Sequence, residues 1–208
     1  MNRRDSLKSL VFGSIGVGVL LEGCVSGVDN ETVANSLKKF NYGRTPKEKE
    51  YDKLLFSKKC FTNNQMTLIS KISNLILPPN EFGSINDAEV PELIEFMAKD
   101  IPSYETPLKE GLVALNQNSN EKFKKVFIDC DESQQKSILD LMAYPDPDLS
   151  SSEQSEEVKW FSLFRNLTMT GYYTSKVGIE ELGYKGNTPN VWDGVPQDVL
   201  DQYGLSYD

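Results

Sequence analysis

The 208-residue chain contains no histidine. That absence excludes Ser-His and Cys-His pairs for nucleophilic catalysis, histidine-ligated metals and the Cys-x-x-Cys-His haem attachment site. Basic residues are also scarce, 22 against 31 acidic ones, for a net charge of −9. No lysine-rich or arginine-rich block follows residue 24, so nucleic acid, which needs a cationic face, is excluded as a partner class. An acidic surface is likewise repelled by anionic lipid headgroups. No segment alternates apolar and polar residues for long enough to support strands. The longest apolar stretch, Leu10 to Leu21, is shorter than the roughly 20 residues of a membrane span.

That stretch has a different meaning in its context. Arg3-Arg4, with Leu7-Lys8 behind them, precede it, and Leu21-Glu22-Gly23-Cys24 follow it. A cationic start, a short apolar run and a cysteine behind a small residue form an export signal. The paired arginines resemble the twin-arginine address, which is read by a receptor on a route for folded cargo. The last four residues resemble a bacterial lipobox, which would make Cys24 the acylated first residue of the mature protein. The expected organisation is therefore signal (1–23), polar tether and linker (24–60) and organised domain (61–208). The signal holds three basic and two acidic residues, so the rest of the chain carries −10. Gly13, Gly16 and Gly18 lie inside the signal in the wrong order for a dinucleotide loop.

The domain reads as all-α, a single irregular bundle of about five to seven helices with a loop-rich tail. Thr62 and Gln65 form a capping box ahead of Leu68, Ile69, Ile72, Leu75 and Ile76, one helical stripe ended by Pro78-Pro79. Further helices are expected behind Pro91, from Thr106-Pro107 (Leu108, Leu112, Leu115) and from Ser119 (Phe123, Val126, Phe127). Another is expected behind the capping box Asp131 to Gln134. The densest stripe, Trp160, Phe161, Phe164 and Leu167, runs from Val158 to about Thr174, and Gly171 within it marks a close backbone approach or a loosened turn. From Gly183 the tail reads as irregular but packed, anchored by Tyr184 and Trp192.

Candidate chemistry is thin. Asp146, Asp148, Ser150, Ser152, Gln154 and Glu157 have the spacing of a calcium loop, but Ser151 stands where a glycine is needed, so a solvated acidic loop is the better reading. Asp131 is accounted for as an N-cap and Glu132 as a first-turn charge, which leaves Asp129 without a carboxylate partner for acid-base work. Tyr172, Tyr173 and Thr174 read as a patch at a protein interface, together with Gly171, Tyr184 and Trp192. Cys60 and Cys130 could pair, closing a loop of about seventy residues for ~4 kcal/mol, or remain two separate buried thiols.

Four segments carry a family resemblance: Ile72-Ser73-Asn74-Leu75-Ile76-Leu77-Pro78-Pro79, Ala88-Glu89-Val90-Pro91-Glu92-Leu93-Ile94-Glu95, Gln134-Gln135, and Leu167 to Ser175 with Glu181-Leu182-Gly183-Tyr184 behind it. Over residues 61 to 194 the chain resembles the gluconate 2-dehydrogenase subunit 3 family. The resemblance implies an accessory subunit without catalytic, cofactor or metal sites of its own. FAD and the substrate site would belong to a large partner of the glucose-methanol-choline type, and electrons would pass to a cytochrome or another acceptor. It also implies support of that partner's folding and export. Two other readings are a free-standing carboxylate hydrolase resting on Asp129 and Asp131, and a lipid-anchored module that binds carbohydrate or protein.

Overall fold

The computed structural model describes residues 27–39, 43–187 and 191–207. Arg3, Arg4 and Cys24 lie outside them. The described residues hold nine α-helices and no strand, so the expected class is right and the expected count was too low. In chain order the helices are α1 (Asn30–Lys39), α2 (Pro46–Phe56), α3 (Asn63–Ile76), α4 (Val90–Asp100) and α5 (Pro102–Phe123). After a 3-10 turn (Phe127–Asp129) come α6 (Glu132–Ala143), α7 (Glu156–Tyr173), α8 (Lys176–Glu181) and α9 (Gln197–Tyr203). None of them is long and apolar enough to cross a membrane.

The described residues divide into two compact units, those up to Met66 together with Glu95–Glu110, and Thr67–Ile94 together with those from Gly111 onward. The first contains two helices in the stretch read as tether and linker. α1 starts at Asp29, whose carboxylate accepts from the Thr32 backbone N–H at 2.9 Å and the Thr32 hydroxyl at 2.6 Å. α2 starts on a capping box that sequence reading did not recognise. Thr45 accepts from the Glu48 N–H at 3.4 Å while Glu48 accepts from the Thr45 N–H at 2.7 Å, and Pro46 fits the first helical position, where no N–H is needed. The two helices pack together and bury Val33 and Leu55. Asp52, also buried, is met by the Arg44 guanidinium at 3.3 Å. The loop after α2 is held by α4: Cys60 N–H donates to Glu95 at 2.9 Å and Lys99 donates to the Lys58 carbonyl at 3.1 Å. Phe56 stacks obliquely on Phe96, with ring centroids 5.4 Å apart.

In the second unit α7 packs against α6 and α8. Its stripe is buried as the periodicity requires, Trp160, Phe161, Phe164 and Leu167 all being almost fully enclosed. Within it the Thr168 hydroxyl donates to the Phe164 carbonyl at 3.0 Å and Ser73 of α3 meets it at 3.3 Å, while the buried indole N–H of Trp160 has no hydrogen-bond partner among the described residues. The expected capping boxes at Thr62 and Gln65 and at Asp131 and Gln134 are both formed.

One boundary differs. Thr106-Pro107 and Ser119 start no helices, because α5 runs unbroken from Pro102 to Phe123. Pro107 falls in its second turn, where it leaves the Ser103 carbonyl without a backbone donor, and the helix continues through it. Ser119 is buried against Cys130, Oγ to Sγ 3.1 Å, and caps nothing. Lys124, in the left-handed region (φ 57°), ends the helix.

Candidate functional site

Three of the four segments quoted above meet around the C-terminal end of α7. Tyr172 is 1% exposed, and its hydroxyl reaches Asn80, directly after Pro78-Pro79, at 3.1 Å from Nδ2 and 3.3 Å from Oδ1. The same Asn80 amide donates to Glu181 at the end of α8 at 2.9 Å, and its carbonyl oxygen accepts from the Phe82 and Gly83 N–H groups. Asn80 thus clamps a loop, a helix end and a neighbouring helix. Burial, followed by the hydrogen bond with the Glu181 carboxylate, pushes the Tyr172 phenol above its ordinary range. It stays protonated and is a structural donor and acceptor at neutral pH.

The glycines here have separate reasons. Gly171 faces α4: a Cβ there would sit 2.8 Å from Leu93 Cδ2 and 3.3 Å from Val90 Cγ2, so close approach, and not a loosened turn, explains it. Gly178 lets α8 lie on the end of α7, since a Cβ would come within 2.2 Å of the Tyr172 carbonyl oxygen. Gly183 closes α8 in the left-handed conformation (φ 62°), with the Tyr184 N–H returning to the Ile179 carbonyl at 3.2 Å. Ser175 caps α8, accepting from the Gly178 N–H at 3.2 Å. Gly-Tyr-Tyr-Thr-Ser followed by Leu-Gly-Tyr is therefore the recipe for a tight helix-turn-helix corner.

The six residues expected at a partner interface separate into two groups. Gly171 and Tyr172 are interior packing residues. Tyr173 is half-buried, its ring set edge-on to Tyr172 at 5.1 Å, and Thr174, Tyr184 and Trp192 are exposed. Tyr184 and Trp192 were expected to anchor the tail. They do not, since both lie mostly in solvent, while Leu200 of α9 is buried. Ile179 of α8 and Leu182, which caps its end, add to the exposed apolar surface beside Tyr184. Gln135, the other quoted segment, is elsewhere: it is buried and donates to the Phe127 carbonyl at 2.9 Å.

The remaining candidates have local explanations. The loop from Asp146 to Glu157 is closed by its own groups: Gln154, buried, donates to the Asp146 and Leu149 carbonyls at 2.7 and 3.1 Å and accepts from the Asp146 N–H at 3.0 Å. Ser150 gives its hydroxyl and N–H to Glu153, which lowers that carboxyl's pKa. Among the described residues no three acidic or cysteine side chains are grouped as metal ligands. Cys60 and Cys130 are both free, buried thiols. Burial pushes Cys60 up to about 11, against the opposing charge of Lys109. An open groove of about 470 Å³ beside Pro78-Pro79 is walled by Lys71, Asn86, Glu132 and Lys136.

The profile of gluconate 2-dehydrogenase subunit 3 matches residues 63–194. The chain belongs to the gluconate 2-dehydrogenase subunit 3 family. The match opens at the start of α3 and takes in the whole Asn80, Tyr172 and Glu181 corner. This family is one of small subunits of a dehydrogenase complex, and association with the other dehydrogenase subunits follows from membership. No curated protein and no solved structure matches the chain.

The corner gives a direct test of how the family's segments cooperate. Tyr172→Phe removes one hydroxyl from a partly wetted network, and stability should fall by about 1 kcal/mol, a drop in Tm of about 2–4 °C for a chain of this size. Combined with Asn80→Ala, the loss should be clearly less than additive. Additive losses in thermal unfolding would mean the two side chains do not act together.

Proposed function

We propose that this chain is a non-catalytic small subunit that assembles with a large flavin-dependent dehydrogenase of the glucose-methanol-choline type, acting on sugars or sugar acids. The observation that carries the proposal is the family match over residues 63–194. FAD and the substrate site belong to the large partner, and a cytochrome c subunit takes the electrons. The chain's contribution is physical: it presents Tyr173, Tyr184, Ile179 and Leu182 on a rigid helical corner, an arrangement that suits an interface with a large protein. Arg3 and Arg4 address the assembled pair for export. Cys24, once acylated, holds it on the periplasmic side of the bacterial envelope, so the acidic surface itself has no need to bind lipid.

The test is to co-express the full chain with the large flavoprotein subunit of the same cells and purify through the small one. The expected result is a flavin-coloured complex of defined stoichiometry with dehydrogenase activity, and no activity from the small chain by itself. Turnover by the isolated chain, or a flavoprotein that never co-purifies, would sink the proposal. The high exposure of Trp192 (74%) favours one other reading, a carbohydrate-binding face. Calorimetry of the chain alone with sugars would give binding heat in that case and none in ours.

A further inference from the structure

Residues 191–207 are folded yet leave most of their large apolar side chains in solvent. α9 turns through this segment and closes at Gly204 in the left-handed conformation (φ 62°), where the Leu205 N–H returns to the Leu200 carbonyl at 2.9 Å. Leu200 points inward. Tyr207 folds back across the segment: its hydroxyl accepts from the Val195 N–H, and its ring lies on Gly194, where a Cβ would come within 3.1 Å of the ring. With the backbone fixed in this way, Trp192, Tyr203, Leu205 and Tyr207 are all 60% or more exposed. With the backbone already ordered, binding has only the two χ angles of each ring to fix, and Trp and Tyr are among the side chains that most often dominate interfaces.

Charge selects the occupant. The segment carries Asp193, Asp198 and Asp201, all exposed, and no lysine or arginine. A second copy of the chain would set aspartate against aspartate, and an anionic membrane would repel all three. A protein surface with lysine or arginine around apolar pockets complements both the apolar and the acidic side chains. The family match ends at Gly194, so α9 and Tyr207 lie beyond the matched span.

We infer that residues 191–207 are a preorganised docking element, with Trp192 and Tyr203 as apolar anchors in an acidic rim. The element seats on a basic-rimmed apolar surface of the large flavoprotein subunit. This inference rests on the assembly proposed above. The test measures association of the full chain with that flavoprotein by surface plasmon resonance at several salt concentrations. Trp192→Ala should weaken binding by about tenfold or more, and Trp192→Phe should recover most of the loss. Asp193→Asn, Asp198→Asn and Asp201→Asn together should slow association and flatten its salt dependence. Helical content and Tm should not change, since these side chains lie in solvent. If the wild-type chain binds the flavoprotein and every variant binds equally well, the docking element is wrong and the assembly stands. If the wild-type chain does not bind at all, both fall. Sugar-binding heat that disappears in Trp192→Ala would also overturn the inference, in favour of a carbohydrate face.

Discussion

Gly111→Ala should lower stability by about 2 kcal/mol even though alanine is the better helix former. The substitution lies inside α5, where intrinsic propensity alone would favour Ala over Gly by about 1 kcal/mol. Against this, a Cβ at position 111 would sit 2.1–2.2 Å from Cδ1, Cγ and Nε1 of Trp160. The ring would have to retreat by more than an ångström, and it has nowhere to go. Trp160 is buried, with Phe164 at 5.5 Å and Phe161 at 6.4 Å between centroids. Overpacking of this kind costs about 1–3 kcal/mol and occasionally more, and here it acts on a rigid ring inside a dense core. With the opposing propensity gain, a net loss near 2 kcal/mol corresponds to a Tm lower by about 4–8 °C. The decisive comparison is the same substitution in a Trp160→Leu background. There the obstacle is gone, and Gly111→Ala should change sign and stabilise by up to about 1 kcal/mol. A Gly111→Ala chain that melts with the wild type, or a loss of equal size in both backgrounds, would show that the helices do not meet in this way.

Sequence reading failed to single out Gly111, and the reason separates what was legible from what was not. Signals that act within four residues were readable: the boxes at Thr62 and Asp131, the stripe from Trp160 to Leu167, and the all-helical class. The box at Thr45 and Glu48 was equally local but was hidden inside a charged stretch that looked like linker. Pro107 and Ser119 read as helix starts, since Pro favours a first helical position and Ser an N-cap. What decides against them is the helix already running from Pro102 before Pro107 and, eleven positions on, the Cys130 thiol beside Ser119. At the corner, the residues that mattered were visible but not their roles. Tyr172 meets Asn80 across 92 positions and Asn80 meets Glu181 across 101, which no local pattern encodes. Trp192 and Tyr184 illustrate the opposite limit. Hydrophobicity says that a side chain gains by leaving water, but it does not say whether its own chain provides the cover. Their exposure gives the assembly proposal a surface to test.

Replacing Arg3 and Arg4 together by lysine should abolish export of both this chain and the flavoprotein proposed to travel with it. The substitution is chosen because it keeps two positive charges at the start of the chain. A signal that needs only a cationic region ahead of an apolar run would still work. A signal read by a receptor through the planar, forked guanidinium would not, since an ammonium cannot reproduce that bidentate geometry. Fractionation should then find both proteins in the cytoplasm, still bound to each other, because the residues proposed for the interface are far along the chain from positions 3 and 4. On the same proposal Cys24→Ser should give the complementary result: export should continue, and the pair should be released from the membrane in soluble form for want of the acyl anchor. The two variants separate address from tether. Normal export of the flavoprotein with both arginines replaced would remove the co-export part of the proposal. Membrane retention in the absence of Cys24 would remove the anchoring part, leaving in either case a small subunit that assembles with its partner after each has reached its place by another route.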